Sequence, residues 1–229
     1  MKTAIVTGAS GNMGQAVVKK FIDEGYYVVG TIVPNDTVPL NFATDKFEKI
    51  VVDLMDEDAT QQFVNNISEK NTTIDAAVLT VGGFAMGDIA HTKTTDVMKQ
   101  YKLNFETAYN IARPVFIKML EQNNGRIFLV GSRPGLNAQF GKGTIAYGLA
   151  KSLIFRLAEL MNEEAKGKNV VVNVVVPSTI DTPPNRKSMP DADFAKWVQP
   201  EDIANVIYFH CTDNAKTLRE TIIKVYNNS

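Results

Sequence analysis

Short apolar runs rich in β-branched residues recur along the chain and predict its strands. They are "TAIV" (3–6), "YVVGTIV" (27–33), "KIVVD" (49–53), "DAAVLTV" (75–81), "RIFLV" (126–130), "NVVVNVVV" (169–176) and "TIIKVY" (221–226). Several of these runs are apolar without alternation, which is typical of strands covered on both faces. We therefore predict about seven strands.

Helical patterns lie between the predicted strands. One begins at Asn12 and stops at Gly25, a second begins at Asp56, and longer ones cover about 95–122 and 144–167. Alternation of strand and helix predicts an α/β fold with a doubly wound parallel sheet, helices on both faces and right-handed crossovers. Because no repeat, low-complexity tract or linker divides the sequence, we expect one domain over residues 1–229.

One long connection stands out between the sixth predicted strand and a helix expected to start near Pro200. Its sequence is "PSTIDTPPNRKSMPDADFAKW", residues 177–197. Connections of this length in compact domains are usually functional or mobile. We interpret residues 178–199 as a lid over a substrate site.

Composition narrows the possible partners. The formal charge is −1 and basic residues are scattered, so neither nucleic acid nor a membrane surface is an expected partner. Cys211 is the only cysteine, which excludes an internal disulfide and offers no companions for a metal site. No apolar run approaches a membrane span or a signal-peptide core, and we expect a cytoplasmic protein that holds no metal.

The segment "TGASGNMG" (7–14) joins the first strand to the first helix. Glycines at 8, 11 and 14 would permit a tight turn, close approach of backbone N–H groups to a phosphate, and helix–strand packing. The G-x-x-G-x-x-G spacing differs from the standard G-x-G-x-x-G fingerprint, and a plain glycine-rich turn is the alternative. Its position between strand and helix favours a dinucleotide site.

The choice between NAD and NADP stays open at this level. In NAD-binding proteins an acidic residue commonly ends the second strand and binds the adenosine ribose, but Thr31 and Ile32 stand there. Asp36 comes late, beyond Pro34, and neither arginine nor lysine is placed to hold a 2′-phosphate. Asp53, at the end of the third strand, is either a contact for the adenine amino group or a solvated strand-end acid.

Six motifs over nearly the whole chain resemble those of the short-chain dehydrogenase/reductase family. They are "TGASGNMG", "TVGG" (80–83), "KLNF" (102–105), "GRIFLVGSRPG" (125–135), "YGLAK" (147–151) and "PSTIDT" (177–182). The resemblance implies a Rossmann-type sheet of seven strands. It also implies hydride transfer between a nicotinamide cofactor, NAD or NADP, and a carbonyl or alcohol substrate.

The same resemblance implies roles for individual residues. Tyr147 would be the proton donor or acceptor, Lys151 its activator and ribose contact, Ser132 the group that orients the substrate oxygen, and Asn104 the anchor of a water relay. Around the cofactor it places Gly8, Ser10, Gly11, Asn12, Met13, Gly14, Thr31, Asp53, Leu54, Gly82, Tyr147, Lys151, Pro177 and Thr182. The substrate pocket would be lined by Phe84, Phe140 and Trp197, with Met189, unless these are packing residues.

The spacing of Tyr147 and Lys151 gives the chemistry a physical basis. Side chains four residues apart share a helix face. A free tyrosine has a pKa of about 10. An ammonium group about 4 Å away is worth about 4 kcal/mol at an effective dielectric of about 20, so we expect Lys151 to lower the pKa of Tyr147. The alternative is a packed tyrosine with a lysine that reaches water.

Two motifs depart from the family pattern. Ser132 precedes Tyr147 by fifteen residues, which predicts a small insertion at 136–143. Thr80 and Val81 replace two asparagines, which we expect to remove a tie between neighbouring strands.

The lid, together with "GGFAMGD" (82–88), resembles that of dihydropteridine reductases. Those reductases generally lack the serine and the asparagine that this chain keeps as Ser132 and Asn104, so we predict an NAD(P)-dependent carbonyl reductase that shares their lid and acts on a small molecule. Its apolar helices at 95–122 and 144–167 would pair in a homodimer or homotetramer. The alternatives are a C=N reductase of the dihydropteridine type and a regulator that senses NAD(P) without turnover.

Overall fold

The structure is a computed structural model that describes residues 1–40, 42, 44–70, 73–219 and 222–228. Seven strands are present in this part of the chain: β1 (Thr3–Thr7), β2 (Tyr27–Ile32), β3 (Phe47–Val51), β4 (Ala76–Leu79), β5 (Asn124–Val130), β6 (Asn169–Pro177) and β7 (Ile222–Val225). Each corresponds to one predicted apolar run. Thr221, the first residue of the last run, lies outside the described residues.

Eight α-helices accompany the strands in the described ranges. They are α1 (Asn12–Asp23), α2 (Glu57–Lys70), α3 (Thr94–Tyr101), α4 (Thr107–Glu121), α5 (Arg133–Leu136), α6 (Ile145–Glu164), α7 (Pro183–Ser188) and α8 (Pro200–Phe209). Short 3₁₀ turns occur at Ala138–Phe140, Phe194–Lys196 and Asp213–Ala215. In this described part of the chain, none of the helices has the length and apolar composition of a membrane span.

All seven strands form one parallel sheet in the order β3-β2-β1-β4-β5-β6-β7. The predicted α/β class and Rossmann-type topology are confirmed. The chain order reverses between β1 and β4, and in open α/β sheets a crevice opens at such a switch point, outside the carboxyl ends of the strands. The topology thus marks one edge of the sheet for ligand binding.

Two buried apolar clusters cover the two faces of the sheet. One contains Ile5 and Leu79 with residues of α2, α4 and α6, and the other contains Val6 and Phe128 with residues of α1 and α8. Every residue of β1 is buried. Because both faces are covered, successive residues of the central strands are apolar, which explains the runs without alternation.

The long helix predicted at 95–122 is not continuous. A π-helical turn, Lys102–Glu106, separates α3 from α4. The Thr107 hydroxyl donates to the Leu103 carbonyl at 2.8 Å within this wider turn. Such single π turns are frequent at functional sites, and this one carries Asn104.

The predicted lid segment is largely folded. It contains α7 and a 3₁₀ turn, and its two ends pair through the Asp181 N–H to the Val198 carbonyl at 2.8 Å. The buried Asp181 carboxylate accepts from Arg186 at 2.5 and 2.7 Å and from Gln199 at 2.9 Å. These bonds lower the pKa of Asp181 to about 2, so its ionised form fastens α7 to the start of α8.

Candidate active site

A cavity of about 860 Å³ lies at the carboxyl ends of the strands, at the switch point. Its wall extends from the loop after β1 to the loops after β5 and β6. All fourteen residues predicted around the cofactor line it: Gly8, Ser10, Gly11, Asn12, Met13, Gly14, Thr31, Asp53, Leu54, Gly82, Tyr147, Lys151, Pro177 and Thr182. The structure therefore brings these residues together, while their contact with a cofactor stays a prediction.

The glycine loop forms one end of the cavity. Gly8 has a left-handed φ of 61°, and a Cβ on Gly14 would lie 2.1 Å from the Gly8 carbonyl oxygen. The loop is fixed to β2 because the Ala9 N–H donates to the Thr31 carbonyl at 2.9 Å. Helix α1 begins here with no side-chain cap, so its first N–H groups suit an anionic ligand such as a pyrophosphate.

Asp36 lines the same end of the cavity, although its position in the sequence suggested that it came too late. Asn35 has a left-handed φ of 66°, and the Asp36 N–H donates to the Val33 carbonyl at 3.2 Å, which turns the chain back. The Asp36 carboxylate accepts a short hydrogen bond from Ser10 and one of 2.8 Å from the Val38 N–H. These bonds lower the pKa of Asp36. The Pro34–Asn35 pair, typical of turns, was the signal in the sequence.

Asp53 has features of both roles considered from the sequence, a contact for the adenine amino group and a solvated strand-end acid. It lines the cavity, and its carboxylate also accepts from the Met55 N–H at 3.0 Å in the turn that leads to α2. The side chain is therefore a local cap with one face toward the cavity.

Ser132, Tyr147 and Lys151 lie together at the other end of the cavity. Ser132 follows β5, and its oxygen accepts from the Gly135 N–H at 3.2 Å. Its hydroxyl lies close enough to the Tyr147 phenol to act on the pKa of that phenol. Lys151 is 4% exposed and donates to the Val130 carbonyl at 2.8 Å. The fifteen-residue spacing is accommodated by α5 and the 3₁₀ turn that follows it, which occupy half of the intervening chain.

Burial dominates the electrostatics of this group. It raises the pKa of Tyr147, with a smaller opposing effect from the Ser132 hydrogen bond. It lowers the pKa of Lys151 to about 8. We expected Lys151 to lower the pKa of Tyr147; in the structure its ammonium group instead bonds to Val130, and the desolvated phenol holds its proton more tightly.

Asn104 is not one of the described residues that line the cavity. It lies behind the cavity wall. Its Oδ1 accepts from the Gly83 N–H and its Nδ2 donates to the Gly83 carbonyl, both at 3.0 Å. A Cβ on Gly82 would lie 2.7 Å from Asn104 Oδ1 and 3.2 Å from Lys151 Nζ. Asn104 therefore supports the Gly82–Gly83 segment that separates it from the cavity.

The strand tie that we expected to be lost at Thr80 is present. The Thr80 hydroxyl donates to the Thr7 carbonyl at 2.6 Å, and the Thr80 N–H donates to the Thr7 hydroxyl at 3.1 Å. This expectation was wrong because a threonine hydroxyl next to the strand can reach the neighbouring backbone as an asparagine amide does. The ends of β1 and β4 are thus held together at the switch point.

The predicted substrate residues occupy different environments. Phe84 and Met189 line the cavity, and the Phe84 ring meets the Tyr147 ring edge to face with centroids 5.1 Å apart. Phe140 and Trp197 are not among the described residues that line it. Trp197 is 6% exposed and packs on Phe194, because a large indole before α8 is most stable in the core.

Arg133 is a lining residue that the sequence did not single out. Its guanidinium lies 4.3 Å from the centroid of Tyr226 and 5.6 Å from that of Phe140. Phe140 thus contacts a residue of the cavity wall without being one of the described lining residues. The adjacent "SRPG" motif was read only for its serine.

The Rossmann-type sheet and the glycine loop at its switch point are those of an NAD(P)-dependent oxidoreductase. The family model for "short chain dehydrogenase" matches residues 2–193, and the chain belongs to this family. Among the described residues, no cluster of three or more histidine, cysteine or acidic side chains could hold a metal ion.

Similar proteins span almost the same length. The acetoacetyl-CoA reductase of Acinetobacter sp. is 27% identical, covering 80% of this chain and 75% of the relative. The 3-oxoacyl-acyl-carrier-protein reductase FabG of Buchnera aphidicola (subsp. Acyrthosiphon pisum) is 24% identical, covering 93% and 91%. A solved structure, "ElxO with NADP Bound", superposes with a TM-score of 0.88 at 22% identity over 98% of this chain and 96% of that one. The resemblance of the lid to dihydropteridine reductases stays a prediction.

Proposed function

We propose that this protein is a carbonyl reductase in which Tyr147 donates the proton. The observation that carries the proposal is that Ser132, Tyr147 and the buried Lys151 share one wall of the cavity, with the Ser132 hydroxyl close enough to influence the Tyr147 phenol. A nicotinamide dinucleotide, when bound, supplies the hydride. The uncapped start of α1 and the glycine loop would hold its pyrophosphate, and Lys151 its ribose.

Two residues of this chain, Tyr147 and Ser132, would bind and protonate the carbonyl oxygen of the substrate. As the carbonyl carbon is reduced, the Tyr147 O–H would give its proton to the carbonyl oxygen, so that an alcohol forms. The Ser132 hydroxyl orients that oxygen. The raised pKa of Tyr147 keeps the phenol protonated at neutral pH, which is the form that can donate a proton to the carbonyl oxygen.

The substrate we propose is a small ketone. Phe84 and Met189 give the substrate end an apolar surface, and Arg133 is the cation beside Ser132. The named activities of the relatives, acetoacetyl-CoA and 3-oxoacyl reduction, support a 3-oxo compound. An activated C=N bond, as in a dihydropterin, is the alternative because a flat ring could stack on Phe84.

We further propose NADH as the preferred cofactor. The Asp36 carboxylate lies against Ser10 at the glycine-loop end, where it would accept from ribose hydroxyls and repel a 2′-phosphate. Among the described lining residues the cations are Arg133 and Lys151, both at the opposite end. Lys49, which interacts with Asp36 at longer range, is exposed on β3 and does not line the cavity.

We propose a cytoplasmic homodimer or homotetramer that pairs through α4 and α6. Exposed apolar side chains on these helices support this arrangement: Tyr109 and Ile117 on α4, and Leu149, Leu153 and Leu160 on α6. Large apolar residues exposed along neighbouring helices often mark an interface.

A turnover screen tests the proposal. Purified protein would be assayed with NADH and NADPH against small ketones, 3-oxoacyl thioesters and quinonoid dihydropterin, with Tyr147→Phe as the control. We expect ketone reduction that falls by about a thousandfold in the variant, in the range for a lost general acid. Activity that survives in Tyr147→Phe would refute the mechanism. Cofactor binding without any turnover would favour the regulator.

A further inference from the structure

Gln100 is a buried polar residue on a helix that is otherwise partly or fully exposed. It is 5% exposed and is the buried residue of α3. A buried amide is costly unless it is hydrogen-bonded. Its Oε1 accepts from Asn104 Nδ2 at 2.9 Å, and both partners lie in the interior. The hydrogen bond from Asn104 therefore accounts for a buried glutamine at this position.

The Asn104 amide is held on both sides. Its Oδ1 and Nδ2 form a pair of 3.0 Å bonds with the Gly83 backbone. The second hydrogen of Nδ2 is donated to Gln100. Gln100 Oε1 accepts at 2.9 Å, and the Gln100 backbone carbonyl accepts at the longer distance of 3.3 Å. Without Oε1, only the long contact would remain for this hydrogen. Gln100 thus holds the amide in the plane that the Gly83 bonds require.

The segment held by Asn104 forms the wall next to the catalytic group. Gly82 is close enough that a Cβ would lie 3.2 Å from Lys151 Nζ. Gly83 is confined as well, since a Cβ would lie 2.8 Å from the Leu103 side chain. Phe84, the next residue, contacts the Tyr147 ring. A shift of the Asn104 amide would therefore move the surroundings of both Lys151 and Tyr147.

We propose that Gln100 is a positioning residue that acts through Asn104: its acceptor oxygen keeps the Gly82–Phe84 wall against Lys151 and Tyr147. The kinetic part of this inference rests on the proposed function. The structural part concerns the Gly83 N–H and does not depend on turnover.

The test compares three variants. Gln100→Met removes the acceptor at similar length, whereas Gln100→Glu keeps an acceptor oxygen. Gln122→Met is the matched control: this glutamine also clamps backbone, at Ile74 and Asn124, but next to the amino ends of β4 and β5. Two quantities would be measured, hydrogen exchange of the Gly83 amide and the kinetic constants with saturating cofactor.

In Gln100→Met we expect exchange at Gly83 to rise and kcat to fall, each about tenfold, as for one lost buried hydrogen bond. KM for the cofactor, measured separately at saturating substrate, should change less than kcat, since the glycine loop that would hold the pyrophosphate is untouched. Gln100→Glu should recover most of both effects, and Gln122→Met should change neither. In an Asn104→Ala background, Gln100→Met should have no further effect on kcat.

Unchanged exchange at Gly83 in Gln100→Met would overturn the inference, as would faster exchange with full kcat, or equal losses in Gln122→Met. If the wild-type protein shows no Tyr147-dependent turnover, the proposed function fails separately. The exchange comparison alone then supports or overturns the role of Gln100.

Discussion

Two cations lie at opposite edges of the sheet, the partly buried Arg126 and the buried Lys151, and they differ in how they are bonded. Near the amino ends, Arg126 donates to the Gly125 and Asn169 carbonyls at 2.9 Å and to Asn169 Oδ1 at 3.0 Å. Near the carboxyl ends, Lys151 has one hydrogen bond, to Val130 at 2.8 Å. Burial lowers the pKa of both groups, but only Lys151 reaches about 8.

The difference follows from the two side chains. A guanidinium presents five donors in a plane and keeps its charge, so Arg126 can bridge β5 and β6 permanently. An ammonium group on a flexible stem loses its proton readily when buried. Arg126, at the amino ends of the strands, thus stabilises the sheet. At the carboxyl ends, where proton transfer would take place, the buried charge of Lys151 is unfavourable for stability.

Lys151→Met should produce the largest effect. We expect kcat/KM to fall about a hundredfold, because the proposed contact of Lys151 with the cofactor ribose would be lost and the cofactor would be misplaced. The free energy of unfolding at pH 7 should rise by about 2 kcal/mol. A pKa lowered from 10.5 to about 8 corresponds to about 3 kcal/mol of destabilisation, from which about 1 kcal/mol for the lost hydrogen bond is subtracted. Urea unfolding and steady-state kinetics would check this, and a loss of both activity and stability would contradict it.

Arg126→Met should act in the opposite sense. Removing three hydrogen bonds from the amino edge should lower the free energy of unfolding by about 2 kcal/mol, or about thirtyfold in the folding equilibrium. The kcat per folded molecule should be unchanged at a temperature where the variant is folded. Urea unfolding measures the first quantity and active-site titration the second. A large fall in kcat would show that the two edges are coupled.

The pH dependence separates activity from stability at Lys151. Because its pKa is about 8 in the folded chain and 10.5 ordinarily, the unfolded chain binds more protons between these values, and stability must rise with pH there. Activity that needs the charged lysine should instead fall about tenfold per pH unit above about 8. Rate profiles and urea unfolding between pH 7 and 10 would be compared with Lys151→Met, which should lack this stability gain. Parallel decline of both quantities would refute the assignment.

Asp36→Asn should give the smallest effect. The variant loses the negative charge at the glycine-loop end, so the preference for NADH over NADPH, as a ratio of kcat/KM values, should drop about fivefold. Asp53→Asn, also in the cavity wall, is the control and should leave the ratio within about twofold. An unchanged ratio in Asp36→Asn would remove the basis for NADH preference.

Much of this protein can be predicted from its sequence, because the relevant signals are local. Apolar runs that alternate with helical patterns determine the α/β class, since strands buried on both faces must be apolar. The glycine loop is predictable for the same reason: Gly8 needs a left-handed φ, and Gly14 leaves no room for a Cβ. The spacing of Tyr147 and Lys151 also places them on one helix face without further information.

The tertiary structure decided what depends on contacts between distant residues. It returned Asp36 to the glycine loop through a turn and buried Trp197 in the core. It also restored the strand tie through Thr80. Above all it set the pKa of Lys151, because desolvation depends on which parts of the chain surround a group, and that is fixed only when strands and helices far apart in sequence pack together.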